Sequence, residues 1–147
     1  MNVRRKVVCI LLLCLTAAVA FAALMHHSEI TIPLPAPGEA KALRGLEYRA
    51  RFVASIDSVT LQTKSEAGAD PVVTDWVFTG SNTDGQAHRV EIVVRLLNES
   101  GEQVGFFSTK RVLPPAARAL EIPLTTKVRP DAWSSAKRAR IFADWMS

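Results

Sequence analysis

Residues 76–107, WVFTGSNTDGQAHRVEIVVRLLNESGEQVGFF, decide the fold class. Trp76 and Phe78 share one side of an extended segment with Val72 and Thr74, whereas Val73, Asp75 and Val77 share the other. Val90, Ile92, Val94 and Leu96 repeat the two-residue period, with Arg89, Glu91 and Arg95 between them. Alternation over that length is the mark of a half-buried β-strand. Asn82-Thr83-Asp84-Gly85 and Asn98-Glu99-Ser100-Gly101 punctuate the stretch, and glycine suits the positive φ that tight turns demand. The run therefore predicts three strands joined by two turns, a meander around which the other segments are placed.

Working toward the N-terminus, Leu46, Tyr48, Ala50, Phe52, Ala54 and Ile56 alternate with polar residues and predict one strand, continued by Val59 and Leu61. Leu43, Leu46, Ala50 and Val53 also fit one helical face, a reading that Gly45 weakens. Residues 65–71, SEAGADP, form a loop by composition. Working toward the C-terminus, Gln103 to Arg111 return as a strand through Val104, Phe106 and Phe107. Pro114-Pro115 interrupt pairing. Leu120, Ile122 and Leu124 alternate in a short strand, and Ala139, Ile141, Ala143 and Trp145 face one way in a closing one. Residues 129–135, RPDAWSS, read as a loop or a single helical turn. Short strands at regular spacing without a strong helix indicate an all-β, antiparallel, immunoglobulin-like β-sandwich of six to seven strands.

The pattern FTGSN, then VEIVVRLLNESGEQVG, then LPPAARALEIPL, over about residues 72–124, resembles small immunoglobulin-like or fibronectin type III-like envelope domains, in particular the FxLYD and DUF3426 groups. The motifs are turn chemistry and core pattern. The resemblance implies a membrane-tethered or exported module and carries over no catalytic residue.

The N-terminus reads as an address. Arg4-Arg5-Lys6 precede the uncharged run VVCILLLCLTAAVAFAALM at residues 7–25. A basic segment followed by an apolar one is what the export machinery recognises, and Ala20-Phe21-Ala22 fits an A-x-A cleavage site. The run is also long enough to span a bilayer if it is not cleaved, as one N-terminal hydrophobic helix. Residues 1–25 are thus a signal peptide or signal anchor, and the chain from residue 26 onward faces outward, in the periplasm or at the cell surface. Residues 26–41 hold Pro33, Pro35 and Pro37 and read as an extended linker. The sandwich is then expected over residues 42–147.

Composition excludes several function classes. The chain of 147 residues carries 18 Lys+Arg against 14 Asp+Glu, and Arg4, Arg5 and Lys6 account for nearly all of the excess. The remainder lacks the net basicity of a nucleic-acid-binding domain. Both cysteines, Cys9 and Cys14, lie in the apolar run, so the domain is expected without disulfide or thiol chemistry. No phosphate-binding loop, dinucleotide fingerprint, zinc spacing or calcium loop occurs, so no cofactor is expected.

The remaining candidates are few. His88 is the one histidine inside the expected domain, at a strand start where an exposed structural role is the simpler reading. Asp75 and Glu91 are conceivable paired carboxylates but fall at outward positions. Met25-His26-His27 is the one cluster with metal-binding character, and flanking residues without a second cluster do not complete a site. Basic residues concentrate between Lys110 and Arg140, against only Glu121 and Asp131. Trp133, with Lys127, Arg129 and Arg138 nearby, is the expected partner surface, since a loop tryptophan with cations around it can anchor a protein or stack on a sugar. The function expected is non-enzymatic: an interaction or structural module whose partner is another envelope protein or an anionic envelope component. The alternative is small-ligand or glycan binding at the Trp133 loop.

Overall fold

The computed structural model describes residues 25–48 and 53–146. Nine strands run in order: β1 (Met25–Pro33), β2 (Ala40–Ala42), β3 (Glu47–Tyr48), β4 (Ala54–Thr63), β5 (Val72–Asn82), β6 (His88–Leu97), β7 (Gln103–Leu113), β8 (Leu120–Val128) and β9 (Arg138–Met146), with one short helix, α1 (Pro130–Ser135), before β9. All pairing is antiparallel. One sheet has four strands in the order β1-β9-β6-β7; the other has five, in the order β2-β4-β5-β8 with β3 also on β4.

The core lies between these sheets. Trp76 and Phe78 of β5 and Ile122 of β8 face Val90, Ile92, Val94 and Leu96 of β6 and Ala139, Ile141, Ala143 and Trp145 of β9, all buried. The two-residue period read from β5, β6 and β9 is the period of burial. Trp76 is accommodated because its Nε1 donates to Thr74 Oγ1 at 3.1 Å, and Thr74 in turn bonds Thr126 at 2.6 Å.

Several expectations are corrected. Residues 76–107 are not a meander. β5 and β6 belong to opposite sheets, so residues 83–87 carry the chain across the core. The reason lies in the side chains: two apolar stripes of this size bury each other best face to face. Asn82 fixes the crossing. Its Nδ2 donates to Gln86 O at 2.8 Å, Leu113 O at 3.1 Å and Pro114 O at 3.0 Å, while its Oδ1 accepts from Asp84 N at 2.9 Å. Gly85 is not among the glycines with positive φ, whereas Gly101, in the β6–β7 hairpin, has φ 88°. The strand count also exceeds the six to seven expected: nine strands are present among the described residues, because β1, β2 and β3 lie where a linker and one continuous strand were expected.

The single strand expected across residues 46–56 is two antiparallel strands, with Glu47 opposite Ser55 and Tyr48 opposite Ala54. Residues 49–52, with Ala50 and Phe52, lie outside the described residues. The expected linker is in part a strand: β1 pairs with β9 along its whole length, from Met25 opposite Met146 to Pro33 opposite Arg138. Prolines misled the reading because Pro33 sits at the end of an edge strand, where no ladder donor is required. The transmembrane reading of residues 7–25 is corrected too. Among the described residues no helix is long and apolar enough to cross a membrane, and Met25, the one residue of that run described, opens β1. The rest of the run, including the expected N-terminal hydrophobic helix and the cleavage site, lies outside the described residues.

Candidate interaction surface

The residues singled out in sequence gather at one end of the sandwich, where α1 joins β8 to β9. Trp133 lies on α1, half-buried and packed against the core rather than projecting as a free platform. Arg129 precedes the helix and pairs with Asp131 at 3.3 Å, both side chains largely exposed. Lys127 is exposed on β8, opposite Val73. Arg138 is exposed at the start of β9, its Nη2 donating to Glu99 O at 3.5 Å. Beside them an open depression of about 600 Å³ is lined by Asn98, Glu99, Ser100, Ser134, Ser135 and Lys137. None of the four singled-out residues lines it.

The opposite end holds His88, which is not exposed as expected but 2% accessible. Its Nε2 bonds Asp84 Oδ2 at 2.8 Å, and its ring stacks obliquely on Tyr48 at 4.7 Å between centroids. Tyr48 also meets Trp145 at 5.7 Å and His26 at 6.1 Å. The bond from His88 holds the Asp84 carboxyl below its ordinary value. This chain of rings covers the imidazole at the end of the core, and its Nε2 is taken by Asp84.

The other chemical candidates separate in space. Strand alternation sends His26 inward to Tyr48 and His27 outward, where its Nδ1 bonds Asp144 and its ring lies on Phe142. Adjacent histidines on opposite faces cannot share a ligand. Among the described residues no group of three or more His, Cys, Asp or Glu could hold a metal ion. Asp75 and Glu91 sit on different sheets. Asp75 accepts from Thr125 Oγ1 at 2.7 Å and Glu91 pairs with Lys110 at 3.5 Å, so both are occupied as outward surface carboxylates.

The feature that reading by sequence missed is the edge formed by β7. Among the described residues five strands border the two sheets, and an open border exposes unpaired backbone that can template a further strand. Four are blunted: β2 has three residues and β3 two, β1 ends in Pro33 and β8 contains Pro123. β7 has eleven residues and no proline, and its ladder is hydrogen-bonded on one side only, to β6, with β8 and α1 passing near it. It also carries Phe106 and Val112, which are 53% and 48% exposed. Both lie on the outer face, opposite Arg95 and Arg89 of β6.

That outer face has a layer of its own. Phe142 of β9 is buried although it points away from the core, because the guanidinium groups of Arg95 and Arg140 cover its ring at 4.8 and 5.3 Å. Arg95 also lies 5.9 Å from the Phe106 ring, and its Nε is buried without an acceptor. The bond from Arg140 to Glu29, at 2.7 Å, holds the Glu29 carboxyl below its usual range. Toward the C-terminal end of β7, a groove of about 250 Å³ is lined by Arg89, Lys110, Arg111 and Val112. The edge thus combines an exposed apolar pair, arginines beside it and a strand border without a ladder partner. The available clue was Phe106-Phe107: in a strand, adjacent aromatics cannot both face the core.

No family model and no curated protein matches the chain. Among solved structures, a DUF1425 family member from Shewanella sp. pv-4 is 14% identical, with a TM-score of 0.35 over 76% of this chain and 93% of that one. The enzymatically active domain of the bacteriophage CBA120 tailspike protein 4 is 14% identical, with a TM-score of 0.26 over 84% of this chain and 17% of that one. Similarity at this level carries no functional argument. The FxLYD and DUF3426 resemblance accordingly gives way to a coarser statement: a small two-sheet antiparallel β-sandwich.

Proposed function

We propose that this protein is an exported, extracytoplasmic interaction module without catalytic activity, which engages another polypeptide of the cell envelope along the β7 edge. The observation that carries the reading is the asymmetry among the borders: among the described residues β7 alone is a long border strand free of proline and furnished with the exposed apolar residues Phe106 and Val112. Main-chain pairing would supply affinity and those side chains selectivity, as in strand addition generally. Export is supported by the basic-then-apolar order at residues 4–25. The enclosure of His88 supports a non-enzymatic role.

The test is photo-crosslinking in the producing cell, with a benzophenone amino acid at position 106, 112 or, as control, 121 on β8. Adducts from the first two positions and not from Glu121 are expected. Adducts from none, or equally from all three, overturn the reading. The alternative, small-ligand or glycan binding at the α1 end, draws on the open polar depression there. It predicts that saccharides move the tryptophan fluorescence of the full chain and that Trp133→Ala abolishes the change; a flat titration removes it.

A further inference from the structure

The side chains of β7 are arranged so that the strand complements itself. We propose that the edge is occupied by the β7 strand of a second copy of this chain, antiparallel about a two-fold axis through Thr109; this rests on the reading of β7 as the docking edge. The axis must stand perpendicular to the sheet and pass through a residue, because directly opposed residues in an antiparallel pair point to the same face.

The register is set by the outer face. Phe106, Ser108, Lys110 and Val112 point outward, opposite Arg95, Val93, Glu91 and Arg89 of β6. With Thr109 on the axis, Phe106 of each copy stands opposite Val112 of the other. The two large apolar side chains that are exposed on the single copy then cover each other twice. Thr109 meets Thr109, a favourable cross-strand pair. Moving the axis to Ser108 sets Phe106 against Lys110, and moving it to Lys110 sets the two lysines against each other.

Charge permits the same register. Lys110 meets Ser108, and Glu91 of its own copy answers its charge at 3.5 Å. Arg111 falls opposite the Phe107 ring, a contact that suits a guanidinium. The two Arg111 residues stand four positions apart along the strands, roughly 13 Å at the usual rise. That exceeds the screening length of about 8 Å at physiological ionic strength. Pairing would join two four-stranded sheets into one of eight. It would also bring the Phe142–Arg95–Phe106 layer of each copy up to Val112 of the other.

The decisive experiment is sedimentation equilibrium of the full chain and two double variants, each carrying the same N-terminal segment. The wild-type chain is expected to dimerise. Phe106→Glu with Val112→Glu places two like-charge pairs across the axis and is expected to weaken the dimer at least tenfold. Phe106→Glu with Val112→Lys places two opposite-charge pairs there and is expected to restore it. Circular dichroism confirms folding of both variants, whose altered positions are solvent-exposed in the single copy. A monomer throughout, or a dimer indifferent to both variants, overturns the self-pairing. Crosslinks from position 106 to a different protein, with a monomer in the centrifuge, retain the docking edge and reject the second copy.

Discussion

Replacing Asn82 tests how the chain crosses from one sheet to the other. Asn82 is 1% exposed, and its amide group meets three carbonyls while its oxygen accepts one backbone N–H. Two amide hydrogens shared over three carbonyls count as two bonds, and the Oδ1 contact makes a third. At about 1 kcal/mol net per bond, Asn82→Ala costs about 3 kcal/mol. The Gln86 and Pro114 carbonyls lie in part-buried contacts and regain water, whereas the Leu113 carbonyl lies in a buried one. Leaving it dry adds roughly 1–3 kcal/mol, for a total of about 4–6 kcal/mol. With a urea dependence of about 1.5 kcal/mol per molar, the midpoint falls by roughly 3–4 M. Trp76 and Trp145, both fully buried, report the transition by fluorescence. Asn82→Asp adds a sign that packing alone would not produce. A carboxylate facing three carbonyl oxygens is disfavoured when charged, so its folded pKa rises above the unfolded value of about 3.9. Measured against wild type, that variant is therefore expected to lose more stability at pH 7 than at pH 4. A cost below about 1 kcal/mol for Asn82→Ala, or a pH-independent difference for Asn82→Asp, would refute the account of the crossing.

Two further outcomes rest on close contacts in the structure. A Cβ at Gly80 would stand 3.1 Å from Leu113 Cδ2 and 3.3 Å from Ile122 Cδ1, so Gly80→Val is expected to overpack the core at a cost of about 1–3 kcal/mol, measured by urea denaturation; an unchanged midpoint would show that Leu113 yields freely. The Asp84 carboxyl is held below its ordinary value of 3.8, chiefly by the His88 bond, so its contribution is present above that pH and is lost as pH falls through the lower folded value. Asp84→Asn is expected to flatten the acid limb of melting temperature against pH, and an acid limb as steep as that of wild type would assign acid sensitivity to other carboxylates, Glu29 foremost.

Fold class was legible because strand periodicity is local. The alternating residues of β5, β6 and β9 declare a buried face without reference to any neighbour, and Gly101 declares its turn. The composition of its loop singled out Trp133 but not its packing against the core from α1. Pairing was not legible. Asn82-Thr83-Asp84-Gly85 has the composition of a hairpin turn, and only the opposition of the β5 and β6 stripes across the core makes it a crossing. The prolines of residues 33–37 look like a spacer until β9 offers β1 a partner. His88 looks exposed until Tyr48 and Trp145, distant in sequence, close over it.

Residue type and local spacing were enough to settle the antiparallel two-layer class and the faces of the long strands, since neither needs a distant partner. Which strands border which was settled only in three dimensions, and with it the fact that β7 is an open edge while β1 and β8 are blunted by proline. An edge is a relation between segments far apart in the chain. No local pattern distinguishes a strand paired on both sides from one left with its outer backbone free.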